Sequence, residues 1–233
     1  MGQVDELRRR LVLAIRVVHQ MGLFELNSGH LSVRVPGEQA MLILGHLHTE
    51  QGAKTFEEVD ESDICRLDLS TFRSEGEREP ADEFHIHSSI YARRPEVQAV
   101  VHTHAWHPVA MSIANQPILP VLPHGLIFAP AVPTLEDHRQ VETRELGDRL
   151  AETLGDGWAV MLRAHGPVTV GTSLEEAVAV MYTLDQCARA QLLAASVGQA
   201  VPISAPRRQQ ISANRVRNIW RVFTQRLPQR AAE

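Results

Sequence analysis

Val4, Leu7, Leu11, Ile15 and Val18 recur at three- and four-residue steps, which predicts a helix over residues 3–21 closed by Gly22. The period then changes to two. "HLSVRV" (30–35) alternates as a strand up to Pro36-Gly37, and "MLIL" (41–44) follows as a second short strand. Residues 45–62 carry Gly45, Gly52 and an acidic cluster and form a polar excursion, after which "CRLDLS" (65–70) returns to strand character. Past the charged "RSEGERE" (73–79), Pro80 opens a helical segment that runs to Arg94 with Ile86 and Ile90 on one face. Pro95 stops it.

The apolar start of "VQAVVHTH" (97–104) predicts a strand in the middle of a sheet. "HPVAMSIAN" (107–115) is a short helix with proline in its first turn. "PILPVLPHGLIFAPAVP" (117–133) is a proline-punctuated loop containing a short strand. A helix over 143–154 is followed by strands "WAVMLR" (158–163) and "PVTVG" (167–171), which meet at a turn around His165-Gly166. Ser173 then caps a long helix with Glu175 and Glu176 in its first turn, where acids favour the positive end of the dipole. After Pro206 the chain turns polar, and "NRVRNIWRVF" (214–223) forms a short helix with Trp220 and Phe223 to bury. This alternation describes one α/β domain over residues 1–205 and a C-terminal tail over 206–233.

Composition narrows the function. At 233 residues with 44% hydrophobic content, the chain can bury a substantial core. A net charge of −5 argues against nucleic acid as a partner, because phosphate-backbone affinity needs concentrated Lys and Arg. Cys65 and Cys187 have no CxxC partner, the first ten residues lack a signal-peptide core, and no apolar run approaches about 18 residues. A soluble, cytoplasmic protein with no membrane partner is expected.

The candidate chemistry lies in histidines. On a strand, residues two apart share a face, so His102 and His104 of "HTH" project side by side at a spacing suited to one divalent ion. Alone, the pair fits a satisfied polar contact as well as a metal site. His165, before a glycine that permits close approach or an unusual backbone angle, offers a third nitrogen. Glu83, four residues before His87 on the expected helix, offers a carboxylate that can serve as ligand, general base or both. Three histidines plus an exchangeable carboxylate suit a catalytic site with an open position. His107 fits a helix-capping or supporting role, and His19 and His138 fit the surface.

Together, "EFHIHSSIYARRPEVQAVVHTHAWHPVAMS", "VMLRAHGPVTVGTSLEEAVAVMYTLDQCARAQLLA" and the early "SGHLSVRV" resemble the class II aldolase/adducin family over roughly residues 8 to 200. The resemblance implies an α/β fold of three layers, αβα, with a central, largely antiparallel sheet. It implies a divalent ion on His102, His104 and His165, with Glu83 as ligand and proton-transfer group. It also implies a homotetramer with active sites at subunit interfaces. Adducin-like members lack the metal histidines, whereas this chain has all of them, so a non-catalytic interaction module is the least favoured reading.

The departures bear on the substrate. Sugar-phosphate aldolases of the family hold phosphate with an asparagine, a Thr-Gly turn and a Ser-Ser pair. Here those positions carry His30, the segment "LGHLHTE" with His46 and His48, and Ala81-Asp82. An acid at Asp82 repels phosphate. The "GH-[ILV]-S-x-R" form and "GHLHTE" are similar to the branch that decarboxylates hydroxylated aromatic acids, among them dihydroxyphthalates and the hydroxy-pyridine dicarboxylates of vitamin B6 degradation. That resemblance implies a carboxy-lyase passing through a metal-stabilised, enolate-like intermediate, with 3-hydroxy-2-methylpyridine-4,5-dicarboxylate as the favoured substrate. The alternative is a metal-dependent aldolase for a non-phosphorylated hydroxy-keto compound. Substrate contacts are expected from His30, His46, His48, Asp82, His124 and Arg163, with Arg34 as a further carboxylate partner or a structural ion. A desolvated Glu83 is expected to titrate closer to neutrality. Imidazole and carboxylate suit several divalent ions, and the decarboxylase resemblance favours manganese, with zinc next.

Overall fold

The computed structural model describes residues 2–49, 52–204 and 209–228. The first amphipathic stretch forms α1 (Gln3–Gln20), with Leu11, Ile15 and Val18 buried. Strands β1 (Gly29–Arg34), β2 (Ala40–Leu44), β3 (His48–Thr49), β4 (Gly52–Ala53), β5 (Ile64–Asp68) and β6 (Ser74–Glu75) follow. Next come α2 (Phe84–Arg93), β7 (Ala99–Thr103), α3 (Trp106–Ile113) and β8 (Thr134–Leu135). The chain continues through α4 (Arg144–Leu154), β9 (Ala159–Leu162), β10 (Gly166–Gly171), α5 (Leu174–Ala195) and α6 (Ala213–Arg226).

Eight strands form one sheet in the order β6-β5-β2-β1-β7-β10-β9-β8, and β3 and β4 pair separately as a hairpin. Every pair in the large sheet is antiparallel except β8 with β9. Both faces are covered. Ala99 and Val101 of β7 join Leu31 and Val33 of β1 in a core under α1 and α5, while Val100, Val168 and Val170 pack with Ile86, Ile90 and Leu150 of α2 and α4. This is the expected three-layer αβα arrangement with a largely antiparallel sheet. α2 and α4 cross closely because Gly147 presents no side chain: a Cβ there would lie 2.5 Å from the His85 carbonyl oxygen.

Three local expectations are corrected. The helix expected from Pro80 begins only at Phe84, because the Glu79 carbonyl accepts the His46 N–H at 2.9 Å and Pro80 bridges Gly45, which holds this stretch against the chain leaving β2. Glu83 therefore occupies the capping position (φ −86°, ψ 25°) and is not on the body of the helix. The short strand expected within 117–133 is instead a 3-10 turn over Pro123–Phe128, and pairing starts at Thr134, past the last proline of the run, where N–H donors resume. The polar excursion is not wholly polar: Leu47, Phe56 and Val59 are buried, and Phe56 stacks on Phe24 at 3.8 Å between ring centroids.

The expected domain boundary at residues 205 and 206 lies outside the described residues. The tail helix α6 packs against α1 and α5, burying Ile219 and half-burying Trp220 and Phe223. Cys65 and Cys187 are free and buried. Among the described residues no helix is long and apolar enough to cross a membrane.

Candidate metal centre

β1, β7 and β10 lie side by side, and their register sets the site. His30 stands directly opposite His102, and His102 opposite Val168. Alternation along β7 turns His102 away from the α1/α5 core and toward α2. Its Nδ1–H donates to the Pro167 carbonyl at 3.1 Å, which leaves Nε2 as the lone-pair nitrogen. His104 follows one residue beyond the strand, and its Nε2 comes within 3.2 Å of His102 Nε2. The turn between β9 and β10 delivers His165, whose Nε2 is 3.4 Å from Glu83 Oε2. The same oxygen is 3.8 Å from His102 Nε2 and 4.0 Å from His30 Nε2. Glu83 Oε1 accepts the Val141 N–H at 2.8 Å, so one carboxylate oxygen is anchored and the other faces the imidazoles.

Gly166 makes this approach feasible. A Cβ at this position would sit 2.2 Å from the Thr103 carbonyl oxygen and 3.2 Å from carbons of both the His102 and His104 rings. Of the two reasons for a glycine there, close approach holds. The positive φ in the turn belongs to Ala164 (54°), two residues earlier.

Ligand atoms of Glu83, His102, His104 and His165 all lie within 4.8 Å of one another. For metal–nitrogen bonds of about 2.05 Å, a tetrahedral edge is about 3.3 Å, close to the 3.2 and 3.4 Å contacts observed. The protonation states also suit a cation. Burial, reinforced by the neighbouring imidazoles, holds His102 well below its ordinary value. Burial, with the neighbouring His165 imidazole, brings His104 down to about 4. The neutral imidazoles of His102 and His104, with His165 and the Glu83 carboxylate beside them, form a donor set that fits a divalent ion.

Glu83 departs from expectation. Burial pushes its carboxyl upward, but the His165 hydrogen bond, the nearby imidazoles of His165 and His30 and the Val141 N–H together outweigh that push. Its carboxyl therefore stays below the usual value. The expected rise toward neutrality assumed burial without these partners.

A cavity of about 210 Å³ opens over the cluster, lined by His30, His46, His48, Asp82, Glu83 and His104 among others. These six come from four separate stretches of sequence, yet the fold brings them to one mouth. Asp82 is exposed and pairs with His46 at 3.2 Å. His124 and Arg163 are not among the residues lining it. His124 sits on the 3-10 turn packed against α5, under the charge of Arg215. Arg163 pairs with Glu136 at 2.7 Å and Asn115 at 2.6 Å, bracing the turn that carries His165. Arg34 likewise bonds the Tyr91 carbonyl at 2.8 Å and the Val97 carbonyl at 3.1 Å, which is a structural role. His107 pairs with Asp185 of α5 at 2.8 Å.

Sequence reasoning missed Asn27, Ser28 and Gln140, which line the cavity from loops without any motif. It also missed a second cavity of about 370 Å³ on the far side of His104, lined by Trp106, Ile113, His138 and His165. Trp106, directly after the histidine motif yet 63% exposed, is a large aromatic with no core to join.

The chain belongs to the class II aldolase/adducin family: the family model for the Class II Aldolase and Adducin N-terminal domain matches residues 9–192. Over 204 residues it is 32% identical to the 3,4-dihydroxyphthalate decarboxylase of Arthrobacter keyseri, covering 83% of this chain and 81% of that protein. Over 205 residues it is 30% identical to the L-fuculose phosphate aldolase of Escherichia coli O6:H1, covering 85% and 88% respectively. Among solved structures, the L-fuculose 1-phosphate aldolase from Glaciozyma antarctica PI12 superposes with a TM-score of 0.79 at 27% identity, covering 95% of this chain and 89% of that one.

Proposed function

We propose that this chain is a divalent-metal-dependent carboxy-lyase acting on a hydroxylated aromatic dicarboxylic acid, with 3-hydroxy-2-methylpyridine-4,5-dicarboxylate as the favoured substrate. The observation that carries the proposal is the cavity itself. Its mouth holds Asp82, paired with His46, and its floor holds His30, at the positions where sugar-phosphate members of the family would hold a phosphate. The similarity to a dihydroxyphthalate decarboxylase supports the same choice.

His102, His104, His165 and Glu83 are the proposed metal ligands, with manganese as first choice of ion and zinc as second. When bound, such an ion supplies Lewis acidity toward substrate oxygens. The protein's own groups do the rest. His30 faces the substrate from the floor, and His46, His48 and Asp82 contact its outer edge. Replacing a ring carboxyl by hydrogen requires one proton at that carbon. Glu83 Oε2 faces the imidazole cluster while Oε1 is held by Val141, so a proton can enter and leave on one defined oxygen.

The proposal extends to residues 1–205 as the catalytic domain, with 206–233 as a tail, and to a cytoplasmic homotetramer with active sites at its interfaces. A second reading is an aldolase for a non-phosphorylated hydroxy-keto compound, favoured by the 30% identity to L-fuculose phosphate aldolase. The discriminating experiment offers the metal-reloaded protein both classes of compound. Carbon dioxide release from hydroxy-aromatic dicarboxylates is the expected result, and aldehyde release from a hydroxy-keto acid in its place would overturn the proposal.

A further inference from the structure

Below the candidate metal centre, a line of four polar side chains runs from the cavity floor into the layer between the sheet and α2. His30 Nδ1 lies 2.6 Å from His87 Nε2, His87 Nδ1 lies 2.6 Å from Ser32 Oγ, and Ser32 Oγ lies 2.8 Å from Tyr91 Oη. All four residues are buried. Arg34 closes the inner end, with its guanidinium 4.6 Å from the centre of the Tyr91 ring. At the outer end His30 Nε2 is buried, has no hydrogen-bond partner, and faces the site 4.0 Å from Glu83 Oε2.

A line this deep in the protein must be satisfied bond by bond. Burial brings His87 down to about 3, so that ring is neutral and carries a single proton, on Nδ1 or on Nε2. One proton for each of the three internal contacts leaves two consistent arrangements. In one, Tyr91 donates to Ser32, Ser32 to His87 and His87 to His30, so that His30 presents Nε2–H to the cavity. In the other, every bond reverses, His30 presents a lone pair, and the Tyr91 proton is left with the Gln98 carbonyl at 3.5 Å. That distance is well beyond the usual range for an O–H···O bond. Only the first arrangement keeps the Tyr91 proton in a short bond, and it turns the remaining N–H toward the Glu83 carboxylate, which a lone pair there would repel.

We propose that Tyr91, Ser32 and His87 form a tautomer lock, holding neutral His30 with Nε2–H aimed into the cavity to donate a hydrogen bond to an anionic oxygen of the substrate. His30 is then a substrate-binding residue, and the other three are positioning residues. The identity of that oxygen, a ring carboxylate or phenolate, rests on the aromatic-acid reading above, but the tautomer does not. A lone pair at the same position would repel the oxygen that an N–H attracts.

The test is nitrogen-15 NMR of the full chain with labelled histidine, loaded with diamagnetic zinc and free of substrate, followed by titration with phthalate. The lock requires a protonated Nε2 and an unprotonated Nδ1 on His30, and a shift of that Nε2–H on phthalate binding. Tyr91→Phe and Ser32→Ala should give mixed tautomers and about tenfold weaker phthalate binding, with zinc content unchanged. The Nδ1–H tautomer in the wild-type protein overturns the proposal. So does wild-type phthalate affinity with an unmixed tautomer in both variants. If the tautomer is as stated but no hydroxy-aromatic acid loses carbon dioxide, the lock stands and the functional reading fails.

Discussion

Replacing Gly166 with alanine should damage the metal centre more than the fold. The added Cβ would start 2.2 Å from the Thr103 carbonyl oxygen, whereas a comfortable carbon–oxygen contact is about 3.3 Å. β7 and β10 must therefore separate locally by about 1 Å. The same carbon is 3.2 Å from both His102 Cε1 and His104 Cδ2, so the two imidazoles share the displacement. Overpacking of this size costs about 1–3 kcal/mol, or about 2–12 °C in melting temperature for a domain of this size. Metal ligation tolerates only about 0.2 Å, and disturbing the groups that support ligands typically costs about 10–100-fold in affinity. Zinc affinity, measured by competition with a chromophoric chelator, should thus fall at least about tenfold, while circular dichroism still reports a folded protein. A Gly166→Ala protein with wild-type zinc affinity and wild-type melting temperature would refute the claim that this glycine makes room for the two histidines.

Glu83→Gln should keep most of the metal but lose about 10²–10⁴-fold in kcat, measured as carbon dioxide release alongside metal content; full activity would remove Glu83 from the proton-transfer role. Asp82→Ser removes a negative charge at the cavity mouth and should tighten inhibition by inorganic phosphate by about 1 kcal/mol, read as a lower inhibition constant. Equal constants would contradict the electrostatic exclusion of phosphate. Acid should destabilise the fold through His87, which burial holds at about 3 against an ordinary 6.5. The unfolded chain takes up this proton first, so the stability is present above pH 6.5 and is lost as pH falls toward 3. From pH 7 to pH 5 this one ring accounts for about 2 kcal/mol. Urea midpoints of wild type and His87→Gln across that range check it, and identical slopes would contradict it.

Much of this site could be read from local spacing. The two-residue step of His102 and His104, the apolar strand before them, and His165 beside a glycine all describe short-range geometry, which sequence expresses directly. Glu83 was legible as a residue but misplaced, because the Glu79 and Pro80 contacts that keep it off the helix come from the chain leaving β2, more than thirty positions earlier. The His30–His87 contact joins residues 57 apart across the sheet–helix boundary, and no local period reports it. Asn27, Ser28 and Gln140 reach the cavity through loops, where pattern carries no information. Arg163 shows the reverse case, since an arginine beside a motif histidine suggests a substrate contact until its partners Glu136 and Asn115 are seen.

The most direct measurement is metal content and affinity, by elemental analysis and titration, of the purified wild-type chain beside His102→Ala and His165→Ala. One tightly bound divalent ion per chain, lost in both variants, is the expected result. A wild-type protein that binds no ion, or variants that bind it as tightly as wild type, would contradict the centre assigned to Glu83, His102, His104 and His165.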